Sequence, residues 1–64
     1  MRVWKLEASQ TEERHPSQWG YALADSRDEA MALCVATSGL PHNFVHEKHP
    51  AMLWPGRESE RVFW

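Results

Sequence analysis

Sixty-four residues are enough for one domain, and seven Lys/Arg against nine Asp/Glu leave a formal charge of −2. That balance excludes the clustered positive footprint of a nucleic-acid binder. The cations Arg2, Lys5, Arg14, Arg27, Lys48, Arg57 and Arg61 are also dispersed along the chain. Cys34 is the single cysteine, which rules out an intrachain disulfide and fits a reducing compartment.

Residues 2–8 alternate, with Trp4, Leu6 and Ala8 on one side and Val3, Lys5 and Glu7 on the other, which predicts a half-buried strand. Residues 9–17 are polar, contain Pro16 and read as a loop. A second strand is predicted over 18–24. Trp19, Tyr21 and Leu23 share one of its faces, and Gly20, Ala22 and Ala24 form another, small enough to lie beneath a helix. The two strands are expected to pair as an antiparallel hairpin with a long, mobile connection.

Ser26 and Glu29 make an S-x-x-E capping box, and Asp25 and Asp28 add negative charge where the helix dipole is positive. The helix is predicted over 27–38. Ala30, Leu33, Cys34 and Thr37 form a stripe, widened by Met31 and Val35 into a broad buried face. Gly39 is placed as the left-handed terminator, Leu40 where a Schellman motif wants its apolar contact, and Pro41 prevents continuation. Residues 42–48 suit either a short strand or a single helical turn. Met52, Leu53 and Trp54 read as a strand, Pro55-Gly56 as a turn and 61–64 as a terminal strand, the last two strands pairing as a hairpin. The expected architecture is a single α+β domain over residues 1–64: two layers, one α-helix packed on an antiparallel sheet of three to four strands, in the order β-β-α-β-β.

A chain this short buries only about 60% of its unfolded surface and needs reinforcement. Trp4, Trp19, Trp54, Trp64, Tyr21, Phe44 and Phe63 supply it, at about 150–250 Å² each when buried. The longest uncharged apolar-leaning stretch, residues 30–40, is too short to span a bilayer, and the first residues lack an apolar signal core. A cytoplasmic location without membrane contact is therefore expected.

Three groups of side chains compete for a functional role. His42, His46 and His49 fall within eight residues, and with Cys34 they would complete a tetrahedral zinc site. Against this, there is no C-x-x-C pair, Pro41 and Pro50 interrupt the segment, and a lone Cys on an apolar stripe is ordinarily a small buried hydrophobe. No metal or other cofactor is expected. Cys34 is also a poor nucleophile, lying near the negative end of its helix. The chain has no glycine-rich phosphate loop and no framed pair of carboxylates, so no enzymatic activity is expected.

The second group is acidic: Glu12 with Glu13, Asp25 with Asp28 and Glu29, and Glu58 with Glu60. Brought onto one side, they would present a phosphate-like patch to a basic groove. The plain alternative is a solvated loop, an ordinary helix N-terminus and a hairpin edge. The third group is aromatic. If the small face of the second strand packs under the helix, Trp19 and Tyr21 are left on the open side as a partner surface or a homodimer sheet. The alternative places them in the core.

In format the chain resembles small phage- or mobile-element-encoded α+β proteins, among them the anti-CRISPR inhibitors: one tiny acidic domain, one cysteine, many tryptophans and no catalytic set. The resemblance implies an inhibitor acting stoichiometrically on a host protein or ribonucleoprotein complex, often at its DNA-binding face, through acidic or aromatic patches. No functional residue is carried over, because no motif matches. A homodimerising structural or regulatory subunit and a Cys/His zinc module are the alternatives.

Overall fold

The computed structural model describes residues 1–13, 15–47 and 53–64. Two strands, β1 (Arg2–Ser9) and β2 (Ser17–Ala24), precede the helix α1 (Arg27–Ser38), and β3 (His42–Glu47) and the short β4 (Val62–Phe63) follow it. All neighbours pair antiparallel in the order β3-β1-β2-β4. The chain is thus an α+β fold of one helix on a four-stranded sheet. β1 and β2 form the expected hairpin, in register from Arg2 opposite Ala24 to Ser9 opposite Ser17. Residues 42–47 are a strand and not a helical turn. They pair with β1 from Ser9 opposite His42 to Trp4 opposite Glu47.

The helix begins and ends where its chemistry requires. Ser26 takes an extended conformation, and its hydroxyl accepts the Glu29 N–H at 3.1 Å. The Glu29 carboxylate in turn accepts the Asp25 N–H at 3.3 Å, so the box closes one residue earlier than its usual form. Gly39 terminates the helix at φ 68°, in the left-handed region where a side chain is strained. The N–H of Leu40 donates to Ser38 Oγ. Asn43 then ties the helix end to β3: its carbonyl accepts the Ser38 hydroxyl at 2.7 Å and its amide donates to Leu40 O.

Only Ala30 and Cys34 of the helix are fully buried, with Met31 and Leu33 packed partly against the core. The predicted stripe is too wide. Val35 is 56% exposed because it lies about 140° around the helix from Ala30. Thr37 is exposed too, at the end of the last turn. Opposite these small helical residues, Trp4, Leu6, Ala22, Ala24 and Val45 complete the core. Small residues on both layers let helix and sheet approach closely, and Trp4 satisfies its indole N–H on Ala24 O at 3.1 Å.

The C-terminal hairpin is a correction. Leu53 and Trp54 belong to no strand, and Met52 lies outside the described residues. Val62 and Phe63 pair instead with Ala22 and Tyr21, and Leu23 N–H donates to Arg61 O at 2.8 Å. The free edge of β2 supplies the donors and acceptors that β4 needs. Trp54 is held in a local loop, its indole against Gly56 and its N–H on Arg57 O. Trp64 lies over Gly20, where an added Cβ would meet its ring at 2.6 Å and Phe63 O at 2.5 Å, and it donates to Thr37 Oγ1.

Candidate binding face of the sheet

Strand alternation sends every second side chain away from the helix. The register then stacks these side chains in rows across the uncovered face. Phe44, Glu7 and Trp19 form one row, and His46, Lys5, Tyr21 and Phe63 form the next. Val3 and Leu23 extend the face toward the helix N-terminus, and His42, Ser9 and Ser17 toward the β1–β2 loop. The central strand therefore carries polar groups, and its neighbours wall them in with aromatic rings. Trp19 is 48% exposed and Phe63 39%. Of the two readings of Trp19 and Tyr21, the open-face one is correct, while Trp4 and Leu6 face the helix. The reason is the small surface of Gly20, Ala22 and Ala24, which alone fits beneath α1 and Trp64.

Glu7 is the unusual member of this face. It is 2% exposed although no helix of the described residues covers it. His46 Nε2 lies 3.0 Å from its Oε1, and the Ser17 hydroxyl donates to its Oε2 at 3.1 Å. A buried carboxylate needs such partners. Over it, Trp19 holds two further groups: its ring centroid is 5.7 Å from that of His46 and 4.3 Å from Lys5 Nζ. The β1–β2 connection leans over the same end, tied by Ser9 Oγ to Thr11 O and by Thr11 Oγ1 to His15 O. Together they enclose an open pocket of about 370 Å³ lined by Glu7, Glu13, His15, Ser17, Trp19 and His46.

The acidic residues do not assemble on one side. Glu12 and Glu13 follow β1 at one end of the sheet, while Asp25, Asp28 and Glu29 lie at the other, about 23 Å away along an eight-residue strand. Glu60, with Glu58 two residues before it, precedes β4 beside the end of β2. Among the described residues three of them are paired: Asp25 with the N-terminal amine at 3.8 Å, Glu29 with Arg61 at 3.3 Å and Glu60 with Arg57 at 3.9 Å. Of these residues, Glu13 lines the pocket beside Trp19.

The sheet itself separates Cys34 from the histidines. Cys34 lies under the helix, its Sγ 3.4 Å from Asn43 Oδ1, while His42 and His46 point to the opposite face and His49 lies outside the described residues. No group of three or more His, Cys, Asp or Glu is arranged to hold a metal among the described residues. Burial raises the Cys34 thiol above its ordinary value of 9.0. No helix among the described residues is long and apolar enough to cross a membrane.

Sequence reasoning missed Glu7, Lys5, Ser17 and His15, and it weighed His46 only as a metal ligand. The alternation of β1 already put Lys5 and Glu7 on one side. What it lacked was that β1 is a central strand, flanked by Phe44 and Trp19, which turns an exposed carboxylate into a buried one. No protein-family model matches the chain, and no curated protein or solved structure is significantly similar to it.

Proposed function

We propose that the chain is a non-enzymatic protein-binding module whose contact surface is the uncovered face of the sheet, centred on Trp19. Its action is stoichiometric inhibition, as in the small anti-CRISPR proteins whose format it shares, on a protein or ribonucleoprotein complex of the host cytoplasm. The observation that carries this reading is the pair of aromatic rows that no layer of the described residues covers. An aromatic patch rimmed by polar groups is the ordinary composition of a partner site, and Trp and Tyr dominate its energetics. Glu12 and Glu13 beside it supply the steering charge, and the paired acids at the far end contribute little.

The test is affinity capture with the intact chain from its native cells, identification of the bound protein, and kinetics with that protein purified. Trp19→Ala should speed dissociation by an amount equivalent to about 2 kcal/mol or more. Reversing Glu12 and Glu13 to lysine should slow association and flatten its salt dependence. Kinetics unchanged by either variant would remove the face from consideration. A solution mass twice the 7.5 kDa of one chain, returning to the monomer with Phe63→Ala, would replace the reading with the homodimer.

A further inference from the structure

We infer that Arg27 guards the outer edge of β3, and that what it keeps off is the β3 of a second copy of the chain. The edge lies apart from the aromatic face, so the guard acts whichever molecule that face meets.

The hydrogen-bond ladder fixes which groups line this edge. Leu23 N–H donates to Arg61 O, so the odd residues of β2 turn their main chain toward β4. Alternation carried through the two registers then turns Gly20 and Ala22 toward β1, Lys5 and Glu7 toward β3, and Phe44 and His46 back toward β1. Asn43, Val45 and Glu47 are left with their N–H and C=O groups pointing outward, and no strand of the described residues pairs with them. Such a row is a template for another strand. Arg27 breaks it at its centre. Its Nη1 donates to Val45 O at 2.9 Å, and among the described residues no carboxylate competes for the guanidinium. Val45 is only 4% exposed, main chain included, although it lies on an edge strand. An incoming strand has to remove Arg27 from the carbonyl and strip water from its charge.

The strand best matched to this edge is β3 itself. Antiparallel pairing of an edge with its own copy is isologous, so each contact is made twice. With Val45 opposite Val45, Asn43 falls opposite Glu47 and Phe44 opposite His46, and no two carboxylates or guanidinium groups meet. The other end of the sheet offers no comparable template, because β4 is two residues long.

The experiment compares the native chain with Arg27→Ala and Arg27→Gln by sedimentation over a concentration series, with amide spectra confirming the fold. The native chain should remain at 7.5 kDa. Both variants should shift toward twice that mass, associating more strongly by about tenfold or more, the factor one hydrogen bond to a charged group supplies. Arg57→Ala removes the same charge from an exposed position away from β3 and should stay monomeric. In the variant dimer, hydrogen exchange at the Val45 amide should slow while the Trp19 indole signal stays in place. Monomeric variants, equal association by Arg57→Ala, or association that moves the Trp19 indole and leaves Val45 unchanged would overturn the inference. The native chain supplies a test that depends on no variant folding. Val45 exchange should be independent of its concentration, and exchange that slows as concentration rises would show the edge pairing with Arg27 in place, and so no guard.

Discussion

The two faces of one sheet, separated by a single residue step, obey different rules. Toward the helix, Trp4, Leu6 and Ala8 are all buried, and their neighbours Ala22, Ala24, Val45, Ala30 and Cys34 are apolar. Away from it, Lys5 and Glu7 sit among Phe44, His46, Trp19, Tyr21 and Phe63, with Trp19 and Phe63 exposed and a carboxylate hidden. The covered face satisfies its few polar atoms inside the chain, as Trp4 does on Ala24 O. The uncovered face keeps large apolar rings in water, which a 64-residue domain short of core would bury if stability alone governed their placement. On the proposed reading, these rings are withheld from the core to meet another molecule.

That contrast can be broken most directly at Leu6, which is fully buried. Leu6→Ala should cost about 2–5 kcal/mol in denaturant melts, enough to unfold much of so small a domain. Trp19→Ala, on the other side of the same sheet, should change stability by no more than about 1 kcal/mol. Equal losses at the two positions would mean that the uncovered face is also core. Gly20 sharpens the comparison at the seam where Trp64 packs. Gly20→Ala should cost about 1–3 kcal/mol, because the new methyl group meets Phe63 O and the Trp64 ring well inside van der Waals contact. A neutral result would show that Trp64 does not seal that end of the covered face.

Smaller effects probe the helix that makes the covered face covered. Ser26→Ala should lower stability by about 1 kcal/mol through loss of the bond to Glu29 N–H, with no change at the Trp19 indole. The smallest effect is the pH dependence from Cys34. Its folded thiol titrates above the ordinary value, because burial disfavours the thiolate. The folded chain therefore holds this proton where the unfolded chain has lost it. The contribution is complete below the ordinary value of 9.0 and is lost as pH rises past it toward the folded value. Melts from neutral to alkaline pH should show a steeper decline for the native chain than for Cys34→Ala, and parallel curves would contradict the burial. The same cause predicts slow alkylation of Cys34 until the chain unfolds.

The legible parts of the molecule were those written in neighbouring residues. Ser26, Glu29 and Gly39 bracket α1 because capping and a left-handed stop are local chemistry, satisfied within a few positions. The alternation in residues 2–8 and 18–24 reported two strands and their faces for the same reason. The small face of Gly20, Ala22 and Ala24 was legible too, but whether it or the aromatic face lay under the helix was left open between two readings.

Three features were decided by tertiary structure. The partner of residues 62–63 depended on which strand edge lay free, and it is the edge of β2 that β4 pairs with. The separation of Cys34 from His42 and His46 followed from their placement on opposite faces, which spacing along the chain does not encode. The pocket needed both: β3 joining β1 to bring His46 to Glu7, and the β1–β2 loop folding back to bring Glu13 over them. Periodicity states which way a side chain points from its own strand. What it meets there is set by non-local register, and so the buried carboxylate at the centre of the candidate site emerged only when the sheet was assembled.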